Sequence, residues 1–292
     1  MARSAPTAAA RVADPIFDVA GVTLRFGGVT SLADVTLQMG RGEILAIIGP
    51  NGAGKTSLFN CLTGVYRPQT GSITFRATRT ELPVTLLGRK THQINHLGIA
   101  RTFQNIRLFP ALTVLENVKV GLEARHGVGP ISAMLGLPNA RHAERESTRR
   151  GIELLRFVGL ADQANTIASA LSYGAQRRLE IARALGTGPA VLLLDEPAAG
   201  TNPVEKRELA DLIRQINRDL RVSVLLIEHD MRLVMSVATR VIVLNFGQLI
   251  AAGTPEQIQR NPAVIEAYLG TGGQAEDGRN PGTDAGGGGG WR

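Results

Sequence analysis

Gly49-Pro50-Asn51-Gly52-Ala53-Gly54-Lys55-Thr56 fits G-x-x-x-x-G-K-[ST] without a mismatch. The chemistry of such a loop is phosphate binding. Its glycines let successive backbone N–H groups turn inward around phosphate oxygens, and the helix that follows adds its positive end. Lys55 supplies a point charge for the outer phosphates, the Thr56 hydroxyl is a ligand for Mg²⁺, and Ser57, next on the helix, completes the nucleotide-binding residues. A second cluster is Asp195-Glu196, which closes the apolar run Val191 to Leu194. Carboxylates at the carboxyl end of a parallel strand lie where α/β sheets place ligands. Asp195 suits Mg²⁺, and Glu196 is free to polarise a water. Neighbouring buried acids without a cation are costly, which argues against a purely structural pair. Of five histidines, only His229 falls at the carboxyl end of a strand. Leu171-Ser172-Tyr173-Gly174-Ala175-Gln176 joins a serine, a glycine and a helix start, which makes either a second anion site or a plain helix cap. Phe26, on a glycine-rich turn, either stacks on a base or packs the turn. Together these residues predict a protein that binds a nucleoside triphosphate.

The elements that hold these groups follow from periodicity. Ile44, Leu45, Ile47 and Ile48 read as a strand buried on both faces, and Thr56 to Leu62 as a helix that stops near Gly64. Apolar residues alternate from Ile16 to Arg25 and again at Val35, Leu37 and Met39, which predicts a small antiparallel sheet beside the loop strand. Gly71 to Phe75 is a further strand, His92 to Gly98 a short helix, and Ile99 to Phe103 leads to Gln104. Thr113 to Arg125 and Asn139 to Gly159 are helical, the second with Ile152, Leu154, Leu155 and Val158 on one face. Ser172 caps a helix that runs to Leu185. Asn202, with Pro203 behind it, caps another whose apolar face is Leu209, Leu212, Ile213 and Ile216. Ser223 to Ile227 and Val241 to Leu244 are strands. The fold class is α/β, with a mainly helical insertion between Gln104 and Gly188.

Composition narrows the setting. With 43% hydrophobic residues over 292 positions, the chain has the material for a substantial core. No apolar run approaches the roughly 18 residues that span a bilayer. Work at a membrane then requires other subunits. Met1 to Pro15 lacks a continuous apolar stretch and reads as a disordered lead-in rather than a secretion signal. The glycine-rich tail from Gly272 cannot pack a core. The single cysteine, Cys61, excludes an intramolecular disulfide and reads as core packing. A net charge of +7 permits an anionic partner, but the basic residues are mixed with acids and select none.

Taken in order, the aromatic turn, the phosphate loop, Gln104 before a helical insertion, Leu171-Ser172-x-Gly174, Asp195-Glu196 and His229 resemble the nucleotide-binding subunit of an ABC transporter. That resemblance implies a P-loop NTPase (RecA-like) core with an antiparallel β subdomain and a helical insertion, the ABC ATPase fold. It places one such domain over residues 15–270, the core being 15–104 and 186–270 and the helical subdomain 105–185. Residues 1–14 and 271–292 are the disordered ends. The resemblance implies a head-to-tail dimer with ATP between the Walker A loop, Gly49 to Thr56, of one subunit and the signature, Leu171 to Gln176, of the other. Ser172, Gly174 and Gln176 then touch ATP in trans. Phe26 stacks on adenine, Gln104 touches Mg²⁺ and the membrane partner, Glu196 is the general base, and His229 contacts the γ-phosphate. Ala175 stands where the general signature has glutamine, which weakens one polar contact.

A narrower resemblance rests on Arg25-Phe26-Gly27-Gly28, Ala100-Arg101-Thr102-Phe103-Gln104, Arg177-Arg178-Leu179-Glu180-Ile181-Ala182-Arg183, Ala198-Ala199-Gly200-Thr201-Asn202-Pro203 and Gly253-Thr254-Pro255. These are similar to the ATPases of high-affinity branched-chain amino acid importers. Urea or short-amide importer ATPases and lipopolysaccharide-export ATPases share most of the pattern. The implied partners are membrane permease subunits, a second ABC ATPase and, indirectly, a solute-binding protein; the implied place is the cytoplasmic face of the membrane. A non-transport ATPase acting on DNA or ribosomes would need coiled-coil arms, a zinc hook or a second cassette, and the sequence has none of them, so no nucleic-acid partner is expected.

Overall fold

The computed structural model describes residues 12–79, 81–126 and 138–272. Most of the expected lead-in and tail lies outside them. Two sheets organise the chain. The first is antiparallel: β1 (Pro15–Phe26), β2 (Val29–Gly40), β4 (Thr70–Phe75) and β5 (Val84–Thr85) lie in the order β2-β1-β4-β5. The second holds β3 (Ile44–Ile48), β6 (Ile99–Arg101), β7 (Val191–Asp195), β8 (Ser223–Ile227), β9 (Arg240–Asn245) and β10 (Gln248–Gly253), in the order β10-β9-β3-β8-β7-β6. All its pairings are parallel except β10 on β9.

The apolar runs of the second sheet are covered on both faces, which is why they do not alternate with polar residues. In β7, Val191 and Leu193 point into one core with Phe17, Val19, Met39 and Phe59, and Leu192 and Leu194 into another with the helices. In β3 the same period of two sends Leu45 and Ile47 to the antiparallel sheet, while Ile48 joins a third cluster with Val243 and Ile258.

Nine helices of the described residues surround these sheets: α1 (Lys55–Leu62), α2 (Thr91–His96), α3 (Val114–His126), α4 (Pro138–Phe157), α5 (Tyr173–Gly186), α6 (Pro203–Asp219), α7 (Met231–Val237), α8 (Pro255–Gln259) and α9 (Pro262–Gly272). None is long and apolar enough to cross a membrane. Between β6 and β7 the regular elements of the described residues are α3, α4, α5 and two single 3₁₀ turns. Leu155 of α4 and Val158 just beyond it are buried as the periodicity predicts, and Ile152 and Leu154 pack half-buried against the same core. Gly121 lets α3 approach α5 so closely that an added Cβ would lie 2.1 Å from the Arg183 carbonyl oxygen.

The caps agree with the sequence. Ser172 Oγ accepts from the Ala175 amide, and Asn202 Oδ1 accepts from the amides of Val204 and Glu205. Asp14, at the end of the expected lead-in, pairs with Arg41, Arg76 and Arg79.

Candidate active site

The turn after β3 carries the phosphate-loop residues. Gly49 has φ 151°, and a Cβ there would stand 2.1 Å from the backbone oxygen of Leu244 on β9, so only glycine fits. The Pro50 carbonyl accepts from the Ala53 amide at 3.2 Å, and the Ala53 carbonyl accepts from Gly247 at 3.0 Å, which ties the loop to the β9–β10 turn. Asn51, Gly52 and Thr56 face solvent; Gly54 caps α1 with φ 100°. Ser57 Oγ accepts from Ser31 Oγ at 2.7 Å.

Lys55 is 7% exposed, and its ammonium donates to the carbonyls of Gly49 at 2.7 Å and Pro50 at 3.0 Å. Burial pushes its pKa down, while the charges of Glu196 and Asp195 pull it up. Among the described residues no ion pair closes on this buried cation, so a phosphate group would meet an ammonium whose only close partners are two carbonyls.

The carboxyl ends of β6, β7 and β8 bring the other groups to the same edge. Gln104 Nε2 donates to Glu196 Oε2 at 3.1 Å, and His229 Nδ1 stands 3.7 Å from the same oxygen. Glu196 itself has φ 46°, an uncommon conformation for a non-glycine residue, held where its amide donates to the Ile227 carbonyl at 2.9 Å. Asp195 is buried and its Oδ2 takes the Arg101 guanidinium at 2.7 Å. Arg101 is fixed in turn by Asn60 Oδ1 and Thr63 Oγ1, and it lies near the Phe59 and Phe103 rings.

Behind His229 is a fully buried carboxylate. Glu228 accepts from the amides of Ala198 at 2.7 Å, His229 at 3.0 Å and Asp230 at 3.2 Å. It joins the loop after Glu196 to the loop that presents His229. Asp230 caps α7 and pairs with Lys206 at 2.6 Å; that hydrogen bond holds its carboxyl below the usual range.

The structure thus assembles Lys55, Gln104, Asp195, Glu196 and His229 along one edge. Ser172, Gly174 and Gln176 stand apart: among the described residues, no hydrogen bond or ion pair joins them to that cluster. Gln176 donates to the Leu171 carbonyl at 3.1 Å, and Gly174 packs under Glu205 of α6. Phe26 is half exposed and meets Tyr66 edge-on, with centroids 5.0 Å apart. Sequence reasoning assigned no role to Arg101 or Glu228. The signal for Glu228 was an acid ending an otherwise apolar strand; for Arg101 nothing local announces a carboxylate 94 positions away.

A phosphate loop facing two carboxylates on a mixed α/β sheet defines a nucleoside triphosphatase. The comparisons with known proteins specify which kind. The family described as ABC transporter matches residues 32–199, and one described as Branched-chain amino acid ATP-binding cassette transporter matches 248–273. The High-affinity branched-chain amino acid transport ATP-binding protein LivG of Salmonella typhimurium is 46% identical, covering 89% of this chain and 99% of its own length. Its counterpart BraF of Pseudomonas aeruginosa is 45% identical, over 88% and 98%. A solved ATP-binding cassette of an ABC transporter, in its ADP conformation, superposes with a TM-score of 0.75 at 28% identity, over 88% of this chain and 99% of that one. The chain belongs to the ATP-binding cassettes of ABC transporters; it binds ATP and is an ATPase of that class.

Proposed function

We propose that this chain hydrolyses ATP at the Lys55–Glu196 edge to drive import of branched-chain amino acids through membrane permease subunits. The observation that carries the catalytic part is the convergence of Gln104 and His229 on one oxygen of Glu196. A carboxylate held at a strand end by the Gln104 amide, with His229 beside it, is placed to take the proton of an attacking water. Lys55 supplies positive charge and His229 a ring nitrogen for the γ-phosphate, where charge develops. Thr56, Gln104 and Asp195 offer a hydroxyl, an amide oxygen and a carboxylate, the hard oxygen set that suits Mg²⁺. Bound there, Mg²⁺ supplies charge neutralisation on the phosphates. Arg101 engages Oδ2 of Asp195 and so orients that carboxylate.

The solute assignment rests on the C-terminal family match and the two importer relatives. In this reading the chain works at the cytoplasmic face of the membrane. It pairs head-to-tail with a second ATPase, and Ser172, Gly174 and Gln176 meet the ATP held by that partner. Phe26 receives the adenine. A groove of ≈ 570 Å³ beside the Gln104 loop, lined by Val65, His92, Ile94, Arg101 and Phe103 among others, gives a permease a place to engage.

The test is Glu196→Gln in the complex purified from its own membranes. ATP binding is retained and turnover falls about 10²- to 10⁴-fold, with loss of labelled leucine, isoleucine and valine uptake in the same cells. Unchanged turnover removes Glu196 as the base. Lost uptake of urea alone, or of none of these solutes, replaces the solute assignment.

A further inference from the structure

Arg177 is the largest fully buried side chain among the described residues. It lies one turn into α5, and its Nη1 pairs with Glu180 Oε2 at 2.8 Å, each side chain being 2% exposed. A buried ion pair is a poor source of stability, because apolar residues of the same volume often serve as well or better. The partners of this pair suggest another use. Arg177 Nη1 donates to the Phe103 carbonyl at 2.7 Å and Nη2 to the Gln104 carbonyl at 2.8 Å. Glu180 Oε1 accepts from the amides of Phe103 and Arg107, both at 3.3 Å. Among the described residues one further bond of the pair runs from Nη2 to the Tyr173 hydroxyl at 3.3 Å, still on α5. Residues 102–108 form neither helix nor strand, so backbone groups that a ladder would satisfy are satisfied here by two side chains of one helix.

We infer that Arg177 and Glu180 are positioning residues that fasten the Gln104 loop to the helix beginning at Ser172, so that loop and helix move as one body. The pair acts at both ends of the chain's chemistry. Gln104 reaches Glu196 of this subunit, while Ser172, on the proposed reading, faces the nucleotide of the partner; the functional consequence rests on that reading. With the fastening in place, a shift of Ser172 on closing over the partner's ATP carries Gln104 with it. Each subunit's hydrolytic site then senses whether its helix is engaged. The bidentate reach to two successive carbonyls needs the guanidinium fork, which lysine lacks.

The experiment compares Arg177→Lys and the double replacement Arg177→Met with Glu180→Leu, each in the full chain within its membrane complex. The double replacement removes both members of the buried pair together. It also takes the partners from two carbonyls and two amides of the loop, and the carboxylate facing Arg183, so a folded protein with Tm lowered by several degrees is expected. Amide hydrogen exchange at Phe103 and Arg107 rises about tenfold or more in the double variant. The kcat for ATP falls about tenfold while KM and nucleotide Kd stay within about twofold. Arg177→Lys gives an intermediate loss of kcat and a smaller fall in Tm than the double variant. Unchanged exchange at Phe103 and Arg107 in the double variant overturns the fastening, whatever the ATPase rate. Raised exchange with unaltered kcat overturns the positioning role. Absence of hydrolysis in the unmodified complex sinks the ATPase reading instead, and the exchange result still decides the fastening.

Discussion

Glu228→Gln isolates the value of a carboxylate that touches no solvent. Its two oxygens accept three backbone amides: Ala198 on Oε1, His229 and Asp230 on Oε2. Glutamine keeps the shape but has only one acceptor oxygen. If that oxygen takes the place of Oε2, the Ala198 N–H loses its partner and meets an NH₂ group, donor against donor. The opposite placement orphans two amides, so the first is the cheaper arrangement. One orphaned buried donor costs about 1–3 kcal/mol. The desolvation cost of the charge is relieved at the same time, which moves the net cost toward the lower part of that range. For a domain of this size class, 1 kcal/mol moves Tm by about 2–4 °C. Differential scanning calorimetry of Glu228→Gln beside Glu153→Gln, whose side chain is half exposed in an i,i+4 pair, makes the comparison. The expected result is a fall of several degrees for Glu228→Gln and a change within about 1 °C for Glu153→Gln. Equal Tm values for the two variants would refute the argument that this carboxylate pins both loops.

Two other perturbations test the packing. Gly121→Ala would ordinarily favour a helix by about 1 kcal/mol, but here the new methyl meets a backbone carbonyl that cannot swing aside. Urea unfolding should therefore show a lower midpoint, by an overpacking cost of about 1–3 kcal/mol, and a raised midpoint would show that α3 and α5 separate easily. Cys61 is buried, and burial pushes its thiol up to about 11. At pH 8 only about one thiol in a thousand is thiolate, so a disulfide reagent should label the native chain slowly and the denatured chain fast. Rapid stoichiometric labelling of the native protein would show that α1 opens.

Much of the fold was legible because its signals are local. A two-sided apolar run before Gly49 can only be a covered strand, and it is β3, flanked by β8 and β9. Asn202-Pro203 opens α6 because capping and a preset φ act within a few residues. Less local elements escaped. Strand β10 is only half-buried, without the apolar run that marks β3 and β7, and α7 and α8 span 7 and 5 residues, too short for periodicity to declare.

The sequence by itself determined which chemistry is present: the phosphate loop, the paired acids, the glutamine, the histidine and a capped serine are side-chain types in an order. Tertiary structure decided which of them meet. Gln104 and Glu196 are 92 positions apart, and their contact depends on β6 lying beside β7 in the sheet. Arg101 on Asp195, Glu228 under three amides, and Arg177 with Glu180 beneath the Gln104 loop are likewise products of packing. A charged side chain is readable as a charge from its own position alone, but its partner is whatever the fold places within about 3 Å. That distance is set by the cores on either side of the sheet, to which residues from the whole described chain contribute.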